Sequence, residues 1–136
     1  MTFHTIDEAI VTLRAGGMVI VCDREDRENE GDLVALGDRI TTETVNFMAT
    51  HARGLICAPI TKAIARRLRL PLMTDESTDP HETAFTISVD HASSTTGISA
   101  EERATTIQAL ANDETSRFDI QRPGTSFLSL QRIMAY

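Results

Sequence analysis

Apolar and polar positions alternate along this chain in two different periods, and the switches between them outline an α/β domain. Thr5-Ile6-Asp7-Glu8 has the spacing of a capping box. Ile6, Ala9, Ile10 and Leu13 then recur at helical period until Gly16-Gly17, so a helix is predicted between those signals. The continuous apolar run Met18-Val19-Ile20-Val21-Cys22 reads as a buried strand, and a second apolar stretch covers residues 33–36. A helix is predicted over residues 42–52, with Val45, Met48, Ala49 and Ala52 inward and Gly54 ending it. Leu55-Ile56-Cys57-Ala58 reads as a short buried strand closed by Pro59. Thr61 is placed to cap a helix through Leu68 that stops near Pro71. Residues 74–81 read as a loop, and Phe85-Thr86-Ile87-Ser88-Val89 alternates like a half-buried strand. Ser99 and Glu102 form a second capping-box pair before a helix marked by Ala104, Ile107, Leu110 and Ala111. The expectation is an α/β fold, a mixed sheet with flanking helices.

Composition narrows the class. At 136 residues the chain has room for one core. A hydrophobic content of 41% with 24% charged residues is that of an ordinary globular domain. The net charge of −7, no Trp and a single Tyr argue against nucleic acid as a partner, because both the counter-charge and the stacking surfaces are missing. No apolar run approaches a membrane span and no signal-peptide pattern opens the chain, so a cytoplasmic protein without a membrane partner is expected. Cys22 and Cys57 each lie in an apolar segment, which predicts buried, reduced thiols.

The candidate chemistry sits directly after the first strand. In Asp23-Arg24-Glu25-Asp26-Arg27-Glu28-Asn29-Glu30-Gly31-Asp32, six of ten residues are acids and two are arginines. Charge runs are ordinarily solvated loops. Here Asp26, Glu28, Glu30 and Asp32 alternate, so an extended segment would put them on one face. Gly31 inside the run implies a special backbone angle or a close approach. Oxygen ligands gathered at a strand end suit a hard divalent cation, and arginines suit a phosphate or carboxylate. A calcium loop is excluded, since its twelfth position would be Gly37 where a bidentate Glu is required. Thr95-Thr96-Gly97-Ile98-Ser99 opens a helix and offers an anion site, with plain N-capping by Ser99 the favoured alternative. Cys57 reads as packing more readily than as a reactive thiol. His4, His51, His81 and His91 do not pair at metal-ligand spacing.

Five blocks occur in order: DREDRENEGD from Asp23, RGLICAP from Arg53, FTISVD from Phe85, TTGISA from Thr95 and RPG from Arg122. Together they closely resemble the 3,4-dihydroxy-2-butanone 4-phosphate synthases of riboflavin biosynthesis, over about residues 5–124. The resemblance implies a lyase that turns D-ribulose 5-phosphate into dihydroxybutanone phosphate and formate, with Mg²⁺ or Mn²⁺, in a homodimer whose site lies near the subunit interface. It implies that Glu28 is a direct metal ligand and that Arg27, Glu28 and Asp32 contact the sugar phosphate. Asp23 and Glu30 would line the same site, with Glu28 among the catalytic groups, and Cys57 and Thr96 are further candidates for the substrate pocket. The same domain forms the amino-terminal half of proteins fused to GTP cyclohydrolase II.

After Arg122-Pro123-Gly124 the chain leaves the family pattern, in which His, an aliphatic residue and Phe-Pro-Leu follow. The expectation is two parts: residues 1–124 as the amino-terminal two-thirds of a synthase domain, and residues 125–136 as an aberrant tail. The family's later Gly-His-Thr-Glu segment, with a second metal ligand and phosphate contacts, and a later catalytic glutamate would then be lacking, and little or no turnover is expected. The alternative is a non-enzymatic remnant that binds metal or sugar phosphate weakly, or that pairs with an intact synthase subunit. Reverse-translated from Gly124 with freely chosen wobble bases and read one base earlier, the tail gives His-Ile-Phe-Pro-Leu-Ile-Ala-Lys-Asp-Asn-Gly-Val. One base lost near the Gly124 codon would produce that relation. Sequencing the gene checks it: the family's continuation is expected in the displaced frame, and codons incompatible with that shift remove the idea.

Overall fold

Among the described residues, each α-helix begins at a side chain that accepts from the helix's own backbone. The computed structural model describes residues 3–26, 29–81 and 83–131. Thr5 caps α1 (Ile6–Arg14) in a full capping box, Glu8 Oε2 accepting from Thr5 N–H at 2.8 Å. Thr41, Thr61 and Ser99 cap α2 (Thr42–Phe47), α3 (Lys62–Leu68) and α4 (Ala100–Ala111) by accepting from the N–H three residues on, without the reciprocal bond. A turn of π-helix, Met48–Ala52, extends α2. The left-handed residue that ends it is Arg53, at φ 58°, not the expected Gly54; Ala52 is exposed rather than inward. Arg69, at φ 53°, likewise ends α3.

The strands form two sheets. β1 (Val19–Cys22) and β2 (Gly31–Val34) make an antiparallel hairpin, with Val19 opposite Val34 and Cys22 opposite Gly31. β3 (Cys57–Ile60), β5 (Ile120–Leu130) and β4 (Val89–His91) form a mixed sheet in the order β3-β5-β4, parallel on one side of β5 and antiparallel on the other. The expected α/β class with a mixed sheet holds for this second sheet.

Several expectations are corrected. β1 is not buried: Ile20 is 70% exposed and Val21 52%, and Cys22 is exposed as well. The third strand starts two residues later than expected, leaving Leu55 exposed and taking Pro59 inside it. Proline is tolerated because β3 is an edge strand and Ile60, not Pro59, serves the ladder, its carbonyl accepting from Gln131. Of the alternating stretch from Phe85, only Val89 enters a strand; Phe85 and Thr86 make isolated bridges, to Ser129 and Leu72. Ala111 is exposed, and the inward face of α4 includes Thr106 instead. Thr106 earns that place by hydrogen bonding: its hydroxyl donates to the Glu102 carbonyl at 2.9 Å and accepts from His91 N–H at 2.9 Å, tying α4 to β4.

β5 has no counterpart among the expected elements. Between Val89, opposite Ser126, and Asp90, opposite Gln121, β5 bulges. Pro123 and Gly124 occupy the bulge, and Gly124 N–H reaches the Ser88 carbonyl at 3.0 Å. A Cβ at Gly124 would lie 2.1 Å from the Val89 carbonyl carbon, so no other residue fits there without movement. Beyond the bulge, residues 125–130 complete the central strand. Leu128 is fully buried among Ile60, Leu68, Leu70, Val89 and Ile120. A smaller cluster of Ile40, Val45, Ala104 and Ile107 joins α2 to α4. Arg67 of α3 donates to the carbonyls of Asn112, at 2.8 Å, and Asp113, satisfying acceptors past the end of α4. Leu128→Ala should cost about 2–5 kcal/mol through lost transfer energy and a cavity at the sheet centre; urea unfolding measures it, and a cost below about 1 kcal/mol would place Leu128 outside the core.

Candidate functional site

The acidic turn, residues 23–30, joins β1 to β2 and is built around its own first residue. Asp23 N–H donates to the Glu30 carbonyl at 3.2 Å, and Asp23 Oδ1 accepts from Glu30 N–H at 2.9 Å. The Asp23 carboxylate thus continues the ladder by one step and closes the mouth of the hairpin. Arg24 forks onto Asp26 through Nε to Oδ1 at 2.9 Å and Nη2 to Oδ2 at 2.5 Å. With side chains 83% and 65% exposed, that pair contributes at most about 1 kcal/mol.

The expected single row of acids does not form. Glu25 and Asp26 lie in a turn, and Asn29 takes φ 52°, so the alternation is broken before Glu30. Asparagine accepts the left-handed region because its short amide bonds locally. Gly31 therefore does not supply the special angle. It supplies the close approach: a Cβ there would meet Ile20 Cγ2 at 3.3 Å and Cys22 Sγ at 3.5 Å. Glu30 and Asp32 are both exposed, and Asp32 stands opposite Val21 in β2. Arg27 and Glu28, two of the principal candidates, lie outside the described residues. Among the described residues no three His, Cys, Asp or Glu side chains converge on one point. The turn nevertheless offers the oxygen donors that a magnesium-like ion accepts, and such an ion needs only one or two carboxylates beside its waters.

The remaining candidates belong to other elements. Cys57 is half-buried on β3, with its Sγ donating to Ser129 Oγ of β5 at 3.5 Å. Thr96 lies on the rim of a pocket of about 420 Å³ lined by hydroxyls, among them Ser93, Ser94, Thr95, Ser99 and Thr105. The helix start beside it is already filled by an anion of the chain. Glu102 accepts from Thr95 N–H at 2.5 Å, from Thr95 Oγ1 at 2.9 Å and from Gly97 N–H at 3.0 Å. Its own N–H donates to Ser99 Oγ at 3.1 Å. Ser99 N-caps the helix, and the amides of Thr95 and Gly97 are taken by Glu102.

Sequence reasoning missed Asp90. This carboxylate is 7% exposed and accepts from Thr125 N–H at 3.0 Å and Thr125 Oγ1 at 2.9 Å. Gly97, at φ 74°, passes so close that a Cβ would lie 2.1 Å from Asp90 Oδ2. Asp90 therefore fastens β4 to β5, with Gly97 of the hydroxyl-lined loop packed close against it. The signal was present as a polar residue closing an apolar alternation.

The hydrogen bonds from Thr95 hold the Glu102 carboxyl below its ordinary value of 4.5. A carboxylate with a lowered folded pKa contributes stability above its unfolded pKa and loses it as pH falls through the folded value. Glu8, bonded by Thr5, acts in the same sense. Glu102→Gln should therefore lower the Tm near neutral pH and flatten its fall below about pH 4.5; parallel Tm–pH curves for variant and parent would refute the assignment.

The sequence pattern of one family, 3,4-dihydroxy-2-butanone 4-phosphate synthase, matches residues 7–133. A riboflavin biosynthesis protein RibBA of Bacillus cereus is 58% identical over 125 residues, 92% of this chain and 32% of its own length. Its namesake in Bacillus velezensis is 59% identical over the same share of this chain and 31% of its own. The chain thus spans about a third of the curated relatives it matches. A solved 3,4-dihydroxy-2-butanone 4-phosphate synthase in complex with two magnesium ions superposes with a TM-score of 0.92 at 40% identity, covering 96% of this chain and 62% of that one. RibBX of A. baumannii, a two-domain synthase, superposes with a TM-score of 0.90 at 41% identity, over 95% of this chain and 38% of its own.

Proposed function

The chain belongs to the 3,4-dihydroxy-2-butanone 4-phosphate synthase family, and on that premise we propose that its acidic turn serves the lyase reaction of riboflavin biosynthesis. D-Ribulose 5-phosphate would yield 3,4-dihydroxy-2-butanone 4-phosphate, with one carbon leaving as formate. The observation that carries this reading is the match of one family over residues 7–133 together with the TM-score of 0.92 to a magnesium-bound synthase.

The reaction needs a proton removed beside a ketose carbonyl. Glu30 and Asp32, exposed at the hairpin mouth, are carboxylates able to take that proton or to accept from sugar hydroxyls. Asp23, braced by Glu30 N–H, would orient a hydroxyl rather than move. Arg27 would engage the phosphate through paired N–H donors. Cys57 and Thr96 would contact the sugar from β3 and from the hydroxyl-lined pocket. Glu28 would hold Mg²⁺ or Mn²⁺, with Glu30 nearer its water shell; when bound, the cation would polarise adjacent substrate oxygens as a Lewis acid.

The same reading takes the active assembly as a cytoplasmic homodimer with the site near its interface, and residues 125–136 as a segment read from a displaced frame. The chain, which covers 62% of the magnesium-bound synthase, is assigned little or no turnover by itself. With D-ribulose 5-phosphate and Mg²⁺, formate release by the purified chain should fall below about 1% of that by a full-length relative, a loss of roughly 3 kcal/mol in barrier lowering. Ordinary enzymatic release would overturn that assignment. In the relative, replacing the glutamate matched to Glu28 by glutamine should weaken Mg²⁺ binding at least tenfold in titration calorimetry; unchanged affinity with intact turnover would remove Glu28 as the ligand.

A further inference from the structure

The charges of this chain are unevenly spread. Residues 44–74 hold five of its 13 lysines and arginines and none of its 20 aspartates and glutamates. Four of the five, Lys62, Arg66, Arg67 and Arg69, lie in α3 or at its end. The structure divides them by task. Arg67 is engaged by the carbonyls past the end of α4. Lys62, Arg66 and Arg69 are exposed, and among the described residues none of the three has a carboxylate within ion-pair distance or a side-chain hydrogen bond. Arg122 of β5 donates to the Arg69 carbonyl at 3.1 Å, which keeps a further positive charge beside that end of the row.

The three unpaired cations border one groove. Its volume is about 480 Å³, and its apolar surface comes from Ala65, Leu70, Pro71 and Leu130. Ala65 and Leu70 are buried, so the floor of the groove is part of the core. The cations recur at i, i+4 and i+7 along α3 and so span about 10 Å. Within the free chain that arrangement is unfavourable. Like charges four residues apart on a helix repel. Lys62 stands at the first helical position, where the macrodipole disfavours a cation, and the first turn holds no acid to offset it. Arg69 leaves the helix at φ 53°, in the left-handed region that disfavours a side chain. An anionic partner lying along the groove would relieve the repulsion among all three.

We propose that this groove docks an acidic peptide segment of another protein, with carboxylates on Lys62, Arg66 and Arg69 and an apolar side chain between them on Leu70 and Leu130. Cations spread over three positions call for several carboxylates on one extended partner, which a single small anion does not supply. An anionic bilayer fits less well, because it would face the rest of a chain of net charge −7. Nucleic acid fits less well too, because the groove has no aromatic ring on which a base could stack. A second copy would bring its own net charge of −7 against this one. The proposal is independent of the catalytic assignment, and docking is read without any turnover.

The full chain is titrated into a fluorescein-labelled synthetic peptide made of three Glu-Leu-Leu-Glu repeats, and binding is read by fluorescence anisotropy. Saturable binding that weakens with added salt is expected. The same peptide with serine in place of leucine should bind at least tenfold more weakly, and the peptide with glutamine in place of glutamate should not bind. Lys62→Glu and Arg66→Glu should each weaken binding at least tenfold, whereas Arg66→Lys should keep most of it. Both side chains are exposed, so amide exchange in α4 and β5 of the variants should match the parent, which separates lost docking from lost folding. Absence of binding, equal binding of the serine peptide, or indifference to both charge reversals overturns the proposal. So does tighter binding to phosphatidylserine vesicles, or self-association of the chain, that the same reversals abolish; a bilayer or a second copy would then be the occupant.

Discussion

Strand β5 has to serve two neighbours of opposite direction at once, and the packing of the main body depends on that double pairing. Its far half runs parallel to β3, from Cys57 opposite Phe127 to Ile60 opposite Leu130. It meets β4 on both sides of the bulge, with Val89 opposite Ser126 and His91 opposite Ile120. The bulge at Pro123 and Gly124 reconciles the two, because Gly124 alone lets the backbones of β4 and β5 touch. Leu128, Val89 and Leu68, all fully buried, close the space beneath it.

Polar side chains then lock the layers where apolar contact is thin. Asp90 reaches from β4 to Thr125 on β5, Thr106 reaches from α4 to the backbone of β4, and Gln108 donates to the Ile40 carbonyl at 2.6 Å. Each bond satisfies a donor or acceptor that would be costly to bury unpaired. The hydroxyl-lined loop that includes Thr96 is positioned by this frame, with Glu102 occupying its amides. The acidic turn is held differently. It depends on a two-stranded hairpin and on the bond between Asp23 and Glu30, so its carboxylates stand on the less supported part of the molecule. That division separates a self-sufficient sheet from a chemical turn whose hairpin is open on both faces.

Much of the local structure was legible before any coordinates. Thr5, Thr61 and Ser99 cap their helices because a hydroxyl one residue before a helix has an unpaired N–H three residues on to bind. The acidic run stood out as a candidate site through its density of carboxylates and through the resemblance its block carries. The errors on apolar residues share one cause, that an apolar side chain does not say what will cover it. Ile20 and Val21 read as core and face outward. Leu55 reads as strand and lies before one. Arg53 and Arg69 adopt left-handed angles that no composition rule would assign to arginine.

By itself the sequence determined the capped starts of three helices, the α/β class and the acidic character of the turn, because caps, periods and carboxylate clustering are set within ten residues or so. Tertiary structure decided the rest. A strand interrupted by Pro-Gly became the central one because its bulge lets the Gly124 backbone lie against that of β4. A helix start that could have held an anion is closed by Glu102, since that carboxylate lies one turn away. Asp90 became a buried anchor because Gly97 and Thr125, 7 residues after it and far along the chain respectively, converge on it. Such convergence depends on distances through space, which local patterning does not encode.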